Sequence, residues 1–188
     1  TKQHAYITTA IPYVNGLPHI GHAMDYMLAD VWARYQRQNG REVRFQTGVD
    51  EHGNKIAAKA ASQNQTPQAY VDQMHVNFQN MIAELNISAT DFIRTTDPHH
   101  VSAVQYIWQK LAAAGYIYKG TYEGWYCQGC EAFVTDKEAA ENNGVCPDHQ
   151  APYQRLSEEN YYFKTSAFSE KIRQAIESSK MTIVPEFR

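Results

Sequence analysis

A chain of 188 residues with 43% hydrophobic and 12% aromatic residues is long enough to form a substantial core and a small appendage. Its net charge of −3 excludes the strong overall basic field of proteins that bind nucleic acid through their whole surface. The sequence has no secretory leader and no apolar run that could span a bilayer, so we expect a cytoplasmic protein without membrane partners.

The first predicted unit is a strand, a loop and a helix. An apolar run from Ala5 to Ile11 leads into a loop rich in proline, and a helical pattern begins near Gly21. His19 and His22 are three residues apart, so their imidazoles lie on one side of the first helical turn, and Gly21 places no side chain between them. Free N–H groups at this turn favour a phosphate, and two imidazoles could stabilise oxygens that gain charge in a transition state. The alternative is an ordinary strand-turn-helix with two surface histidines.

The helix that follows has a periodic apolar stripe, which predicts a buried face ending near Gly40. The members of this stripe are Met24, Met27, Leu28, Val31 and Tyr35. Asp25 lies one turn after His22, where a carboxylate either faces a ligand or simply stabilises the helix start.

A second strand, from Glu42 to Thr47, runs into the polar segment 48–53. Ligands of open α/β sheets bind at the carboxyl ends of strands, so we expect this segment and the histidine loop to face one crevice. Asp50 is the candidate partner for a ligand's ammonium group. A turn-forming aspartate is the alternative.

The next elements continue the strand–helix alternation. We predict helices over 54–63, from Pro67 with Thr66 as N-cap, and from Asp97–Pro98 to Gly115, with a short strand at Phe92–Ile93. The predicted inward faces of the last two helices comprise Tyr70, Met74, Phe78, Met81, Ile82 and Leu85, then Val101, Val104, Trp108 and Leu111. This alternation predicts an α/β fold with a parallel, doubly wound sheet.

After Gly115 the sequence is rich in aromatic residues and glycine, which is typical of antiparallel strands. Cys127 and Cys130 precede Cys146 and His149 by fifteen intervening residues. Two such pairs predict a tetrahedral Zn²⁺ site, structural because no ligand position is left for water. A redox pair of Cys127 and Cys130 is the alternative, but it leaves Cys146 and His149 unexplained.

The predicted domains follow these changes in pattern. Residues 1–115 form the first half of a Rossmann-type domain, 116–165 a zinc-knuckle insertion, and 166–188 a helix and the start of a return to the main domain. Within them, residues 160–164 form a strand and Ser166 caps the last helix.

Three motifs resemble those of the methionyl-tRNA synthetases, a branch of the class I aminoacyl-tRNA synthetases. They are His19-Ile20-Gly21-His22 with its lead-in from Ala10 to Gly16, Gly48-Val49-Asp50-Glu51-His52-Gly53, and the knuckle entered through 123–127. The resemblance implies activation of L-methionine with Mg²⁺ and ATP, followed by transfer of methionine to tRNA(Met).

The resemblance also implies residue roles. His19 and His22 are catalytic and bind ATP together with Gly21 and Asp25. The methionine site comprises Ala10, Ile11, Tyr13 and Asp50, with Asp50 holding the ammonium group.

The chain departs from the family in lacking the second motif, Lys-Met-Ser-Lys-Ser, which Lys180-Met181-Thr182 does not supply. We therefore expect a truncated part of a longer protein that reaches tRNA only through the full-length chain and does not aminoacylate alone. Two alternatives stay open: a free-standing nucleotidylyltransferase, and a non-enzymatic zinc-ribbon module that binds nucleic acid.

Overall fold

The computed structural model describes residues 3–184, which form two compact units, one ending at Gln105 and the other beginning at Tyr106. Within the described residues, no helix combines the length and apolar character needed to cross a membrane.

The first unit contains a parallel three-stranded sheet in the order β1-β2-β3, which confirms the predicted α/β class. The strands are β1 (His4–Thr8), β2 (Glu42–Val49) and β3 (Asp91–Arg94). The helices are α1 (Ile20–Gln38), α2 (Asn54–Ser62) and α3 (Pro67–Glu84), and α4 (Pro98–Ala113) begins in this unit and ends in the second. Because all three strands are parallel, their carboxyl ends lie at one edge of the sheet.

Two apolar clusters form the core of this unit. One comprises Val14, Val49, Ile56, Ala60, Tyr70, Val71 and Phe78. The other comprises Tyr26, Ala29, Ala33, Val43, Phe45 and Ile87, and joins α1 to β2.

The predicted buried face of α1 is wrong. The five residues of the predicted stripe are between 50% and 67% exposed, whereas the buried residues are Tyr26, Ala29, Asp30, Ala33 and Gln36. Two stripes with helical spacing run along α1, and the one with small side chains packs on the sheet. Ala29 and Ala33 let the helix approach Val43 and Phe45 of β2 closely.

The predicted face of α3 is largely confirmed, whereas that of α4 is wrong. Tyr70 and Phe78 are buried, and Met74, Met81 and Ile82 pack against the core clusters. Leu85 ends α3 as its C-cap residue and is 39% exposed. In α4 no residue is buried: Trp108 contacts the ring of Tyr161 edge-on but is still 44% exposed.

The second unit contains an antiparallel sheet in the order β5-β4-β6, as the aromatic pattern predicted. Its elements are β4 (Ile117–Cys127), β5 (Ala132–Val134), α5 (Asp136–Glu141), β6 (Gln154–Phe163) and α6 (Ser169–Glu177). Ser166 is not the helix cap, because a 3₁₀ turn over Thr165–Phe168 precedes α6 and Phe168 occupies the cap position. Residues 185–188 of the predicted last segment lie outside the described part.

Candidate active site and metal centre

The side chains of His19 and His22 both accept backbone N–H groups at the start of α1. Nδ1 of His19 accepts the Gly21 N–H at 3.1 Å, and Nδ1 of His22 accepts the His19 N–H at 3.1 Å. The two rings stack with centroids 3.8 Å apart and planes inclined by 25°. An added Cβ at Gly21 would lie 2.9 Å from Cε1 of His19, so glycine is needed beside the stack.

These bonds determine which nitrogen carries the proton. A neutral imidazole has one donor and one acceptor, so an accepting Nδ1 leaves the proton on Nε2. Burial and the neighbouring His19 lower the pKa of His22, while the charge of Asp25 partly offsets them. Each ring therefore presents an Nε2–H donor beside the free amides of a helix start.

Asp50 lies directly after β2 and is bonded to the loop that precedes α1. Its N–H donates to the Pro12 carbonyl at 2.9 Å, and its carbonyl accepts the Val14 N–H at 3.2 Å. Tyr13 and Asp50 thereby form an isolated parallel bridge. The structure thus brings together two of the predicted methionine-site residues, and Tyr13 presents an exposed side chain there.

The histidine and Asp50 segments rest on the same core cluster. Phe78 of α3 contacts His22 edge-on at 5.5 Å between centroids. The same ring is fully buried in the cluster that contains Val14 and Val49, the neighbours of Tyr13 and Asp50.

The remaining predicted residues lie on the surface. Asp25 is exposed on α1, and Ala10 and Ile11 are exposed in the loop after β1. The Thr9 hydroxyl donates to the Ala10 carbonyl at 2.9 Å and lies 2.7 Å from the hydroxyl of Thr47, which ties this loop to β2.

Sequence reasoning missed a polar group at the end of β3. The Thr95 hydroxyl lies between the Glu51 N–H, at 2.8 Å, and Oδ1 of Asp50, at 3.3 Å. Arg94 donates to Glu51 at 2.8 Å and to Asp72 at 2.5 Å. The sequence does contain a signal for this group, because polar residues follow directly after the predicted strand Phe92–Ile93. They lie near Asp50 because β3 ends beside β2.

Cys127, Cys130, Cys146 and His149 converge in the second unit, with all ligand atoms within 4.8 Å of one another. Sγ of Cys130 lies 3.5 Å from Sγ of Cys146 and 3.3 Å from Nδ1 of His149. Nδ1 of His149 lies 3.9 Å from Sγ of Cys127 and 3.7 Å from Sγ of Cys146. A tetrahedron with metal–ligand lengths of about 2.0–2.3 Å has edges of roughly this size, so the four donors fit one metal ion.

The chemistry of the thiols agrees with that fit. Hydrogen bonds with Cys146 and Cys127 raise the pKa of Cys130 to about 12. A backbone hydrogen bond from Cys130 lowers the pKa of Cys127, and a hydrogen bond with His149 lowers the pKa of Cys146. Three crowded thiols cannot all ionise alone, whereas a divalent cation would compensate their charge.

Comparison with known proteins identifies the class. The family described as "tRNA synthetases class I (M)" matches residues 5–156, which include both the histidine loop and the four metal-ligand candidates. The chain belongs to this family.

Two curated relatives have a more specific name than the family. Methionine–tRNA ligase of Clostridium tetani is 42% identical over 187 residues, covering 100% of this chain and 29% of that protein. Methionine–tRNA ligase of Streptomyces coelicolor is 42% identical, covering 96% of this chain and 35% of that protein.

A solved structure agrees with these relatives. Mycobacterium tuberculosis methionyl-tRNA synthetase in complex with methionyl-adenylate matches with a TM-score of 0.87 and 37% identity, over 98% of this chain and 37% of that one. The chain thus spans about a third of the length of the proteins it matches.

Proposed function

We propose that this chain forms part of the active site of a methionine–tRNA ligase, which acts in the cytoplasm. The whole enzyme would join L-methionine to AMP from ATP and then transfer methionine to tRNA(Met). Family membership, the names of the relatives and the adenylate bound in the 37% identical structure support this assignment.

The observation that carries the proposal is the pair of stacked imidazoles with Nε2–H donors at the start of α1. A methionine carboxylate oxygen attacks the α-phosphorus of ATP, and the bond from that phosphorus to the bridging oxygen of pyrophosphate breaks. No proton is transferred, because the nucleophile is already an anion. His19 and His22 hydrogen-bond the phosphate oxygens as charge develops on them, beside Gly21 and Asp25. Mg²⁺, when bound with ATP, supplies positive charge to the phosphates.

Asp50 is the proposed anchor for methionine. Its carboxylate pairs with the ammonium group, which needs an anionic partner in a partly dry pocket. Ala10, Ile11 and Tyr13 form the neighbouring wall, and the backbone bonds between Asp50 and Pro12–Val14 support this placement.

Zn²⁺ is the metal proposed for Cys127, Cys130, Cys146 and His149. Three sulfur donors and one nitrogen donor suit zinc, and four protein ligands make the site structural. We also propose that residues 1–115 are the first half of the catalytic domain and that 116–165 are the zinc-binding insertion. Residues 166–188 would then be a helix and the start of the return to the catalytic domain.

The proposal is tested by methionine-dependent exchange of pyrophosphate into ATP, measured on the full-length gene product. Titration calorimetry with methionine and ATP then compares wild type with Asp50→Asn. We expect Asp50→Asn to weaken methionine binding about 30-fold, since a charged hydrogen bond is lost, and to spare ATP. Asp91→Asn is the matched control, because Asp91 begins β3 and so lies at the edge of the sheet opposite to Asp50.

Other outcomes would contradict the proposal. Equal loss of both ligands in Asp50→Asn would show that Asp50 acts through the fold alone. Exchange without methionine would favour a free-standing nucleotidylyltransferase. Tight binding of single-stranded RNA with a steep salt dependence, and no exchange, would favour a nucleic-acid-binding zinc ribbon.

A further inference from the structure

The ends of β2 and β3 remain side by side beyond the sheet. Their register pairs Gly48 with Ile93 and Val49 with Arg94, so Asp50 and Thr95 are the next pair. The Thr95 N–H donates to the Val49 carbonyl at 3.3 Å, which continues the ladder to this point.

The bonds of the Thr95 hydroxyl give its proton a direction. The oxygen accepts the Glu51 N–H at 2.8 Å, and the other neighbour is Oδ1 of Asp50 at 3.3 Å. A carboxylate only accepts, so the hydroxyl proton points to Asp50. The His52 N–H donates to the same Oδ1 at 3.1 Å. Two donors on one oxygen fix the rotation of the carboxylate about its Cβ–Cγ bond.

The two neighbours of Thr95 in the sequence, Arg94 and Thr96, are both bonded to Glu51. Arg94 pairs with one oxygen of Glu51 at 2.8 Å, and the Thr96 hydroxyl bonds the other oxygen of the same carboxylate. Arg94 also pairs with Asp72 of α3 at 2.5 Å. Glu51 is only 4% exposed and Thr95 8%, so solvent competes little for these bonds.

We infer that Thr95 is a positioning residue that orients the Asp50 carboxylate toward the ammonium group of the amino acid substrate. Oδ1 is held by Thr95 and His52, and Oδ2 is the oxygen that meets the ligand. This inference rests on the proposed function of Asp50. It implies that loss of the hydroxyl affects only ligands that carry an ammonium group.

The test uses the full-length gene product with Thr95→Val, which keeps the shape but removes the hydroxyl, and Thr95→Ser, which restores it. Thr90→Val is the matched control, because the Thr90 hydroxyl also bonds strand backbone but precedes β3. Pyrophosphate exchange gives KM for methionine and for ATP. Inhibition is measured with L-methioninol, which keeps the ammonium group, and with 4-(methylsulfanyl)butanoate, which lacks it.

We expect Thr95→Val to raise KM for methionine and Ki for methioninol about tenfold, since a hydrogen bond to a charged group is lost. KM for ATP and Ki for the butanoate should stay at wild-type values. Thr95→Ser and Thr90→Val should behave as wild type for all four ligands.

Three results would overturn the inference alone: wild-type ligand constants in Thr95→Val, equal weakening of the ligands with and without ammonium, or no rescue by Thr95→Ser. A wild-type protein without methionine-dependent exchange would instead contradict the proposed function, and the inference with it.

Discussion

Replacing Gly129 by alanine should displace the proposed metal ligand His149, which is twenty residues away in the sequence. Gly129 lies between Cys127 and Cys130, and the ring of His149 packs directly on its Cα. An added Cβ would lie 2.3 Å from Cδ2, 2.4 Å from Cγ and 2.8 Å from Nδ1 of His149.

The size of the effect follows from these distances. Non-bonded carbons prefer about 3.5–4.0 Å, so the imidazole has to retreat by roughly 1 Å. Metal–ligand lengths tolerate only about 0.2 Å, so Nδ1 leaves the coordination sphere. Loss of outer-sphere support alone costs about 10–100-fold in metal affinity, so a displaced ligand should cost at least about 100-fold.

Zinc affinity of the 188-residue chain can be measured by competition with a chromophoric chelator. His149→Ala, which removes the ligand outright, gives the expected loss for comparison. Gly16→Ala is the matched control, because nothing lies within 4 Å of a Cβ built there. Thermal unfolding adds a second measurement: Gly129→Ala with zinc should melt like wild type treated with chelator, since metal binding supplies folding free energy.

Wild-type zinc affinity in Gly129→Ala would refute this reasoning, because it would mean that His149 does not coordinate from its place against Gly129. A loss of zinc affinity in Gly16→Ala as large as in Gly129→Ala would refute it as well, since a Cβ at Gly16 has no neighbour within 4 Å.

Two further predictions concern the first unit. A Cβ at Gly48 would lie 2.1 Å from the Ile93 carbonyl oxygen, so Gly48→Ala should destabilise the chain by about 3 kcal/mol in urea unfolding, and an unchanged midpoint would contradict the close approach. Burial opposes ionisation of Asp30, but hydrogen bonds from Ser88 and Arg34 outweigh it and lower the pKa of this carboxyl. The ionised Asp30 therefore stabilises the folded state above about pH 4, and this stabilisation is lost as pH falls through the folded pKa. Asp30→Asn should therefore lower Tm by about 5 °C at pH 7 and by less as the pH falls below the usual range of an aspartate, whereas a pH-independent difference would contradict the charge-based account.

Features that depend on local spacing could be predicted from the sequence. The three-residue step from His19 to His22 determines that both rings lie on one side of a helix, whatever packs around them. The Cys127 and Cys146 pairs likewise each turn two donors toward one point, and the structure brings all four together. Strand–helix alternation was enough to indicate a parallel sheet.

Features that depend on a partner surface could not be predicted in the same way. Periodicity shows that Met24 and Val31 share a face of α1, but the face with Ala29 and Ala33 is the one that fits against β2. Side-chain size at the contact decided between two stripes with the same spacing. In α4 the apolar stripe is real, but no element of the described chain buries it.

The arrangement around Asp50 combines both kinds of information. Gly48 lacks a side chain, so β3 approaches β2 closely at Ile93. That approach fixes the register, in which each residue of β2 pairs with the residue of β3 that is 45 positions later. Two residues beyond Gly48, the same register places Thr95 opposite Asp50. Gly48 thus determines whether the Thr95 hydroxyl can reach the Asp50 carboxylate. Sequence motifs identify Asp50 as a candidate, but only strand pairing reveals Thr95 as its partner.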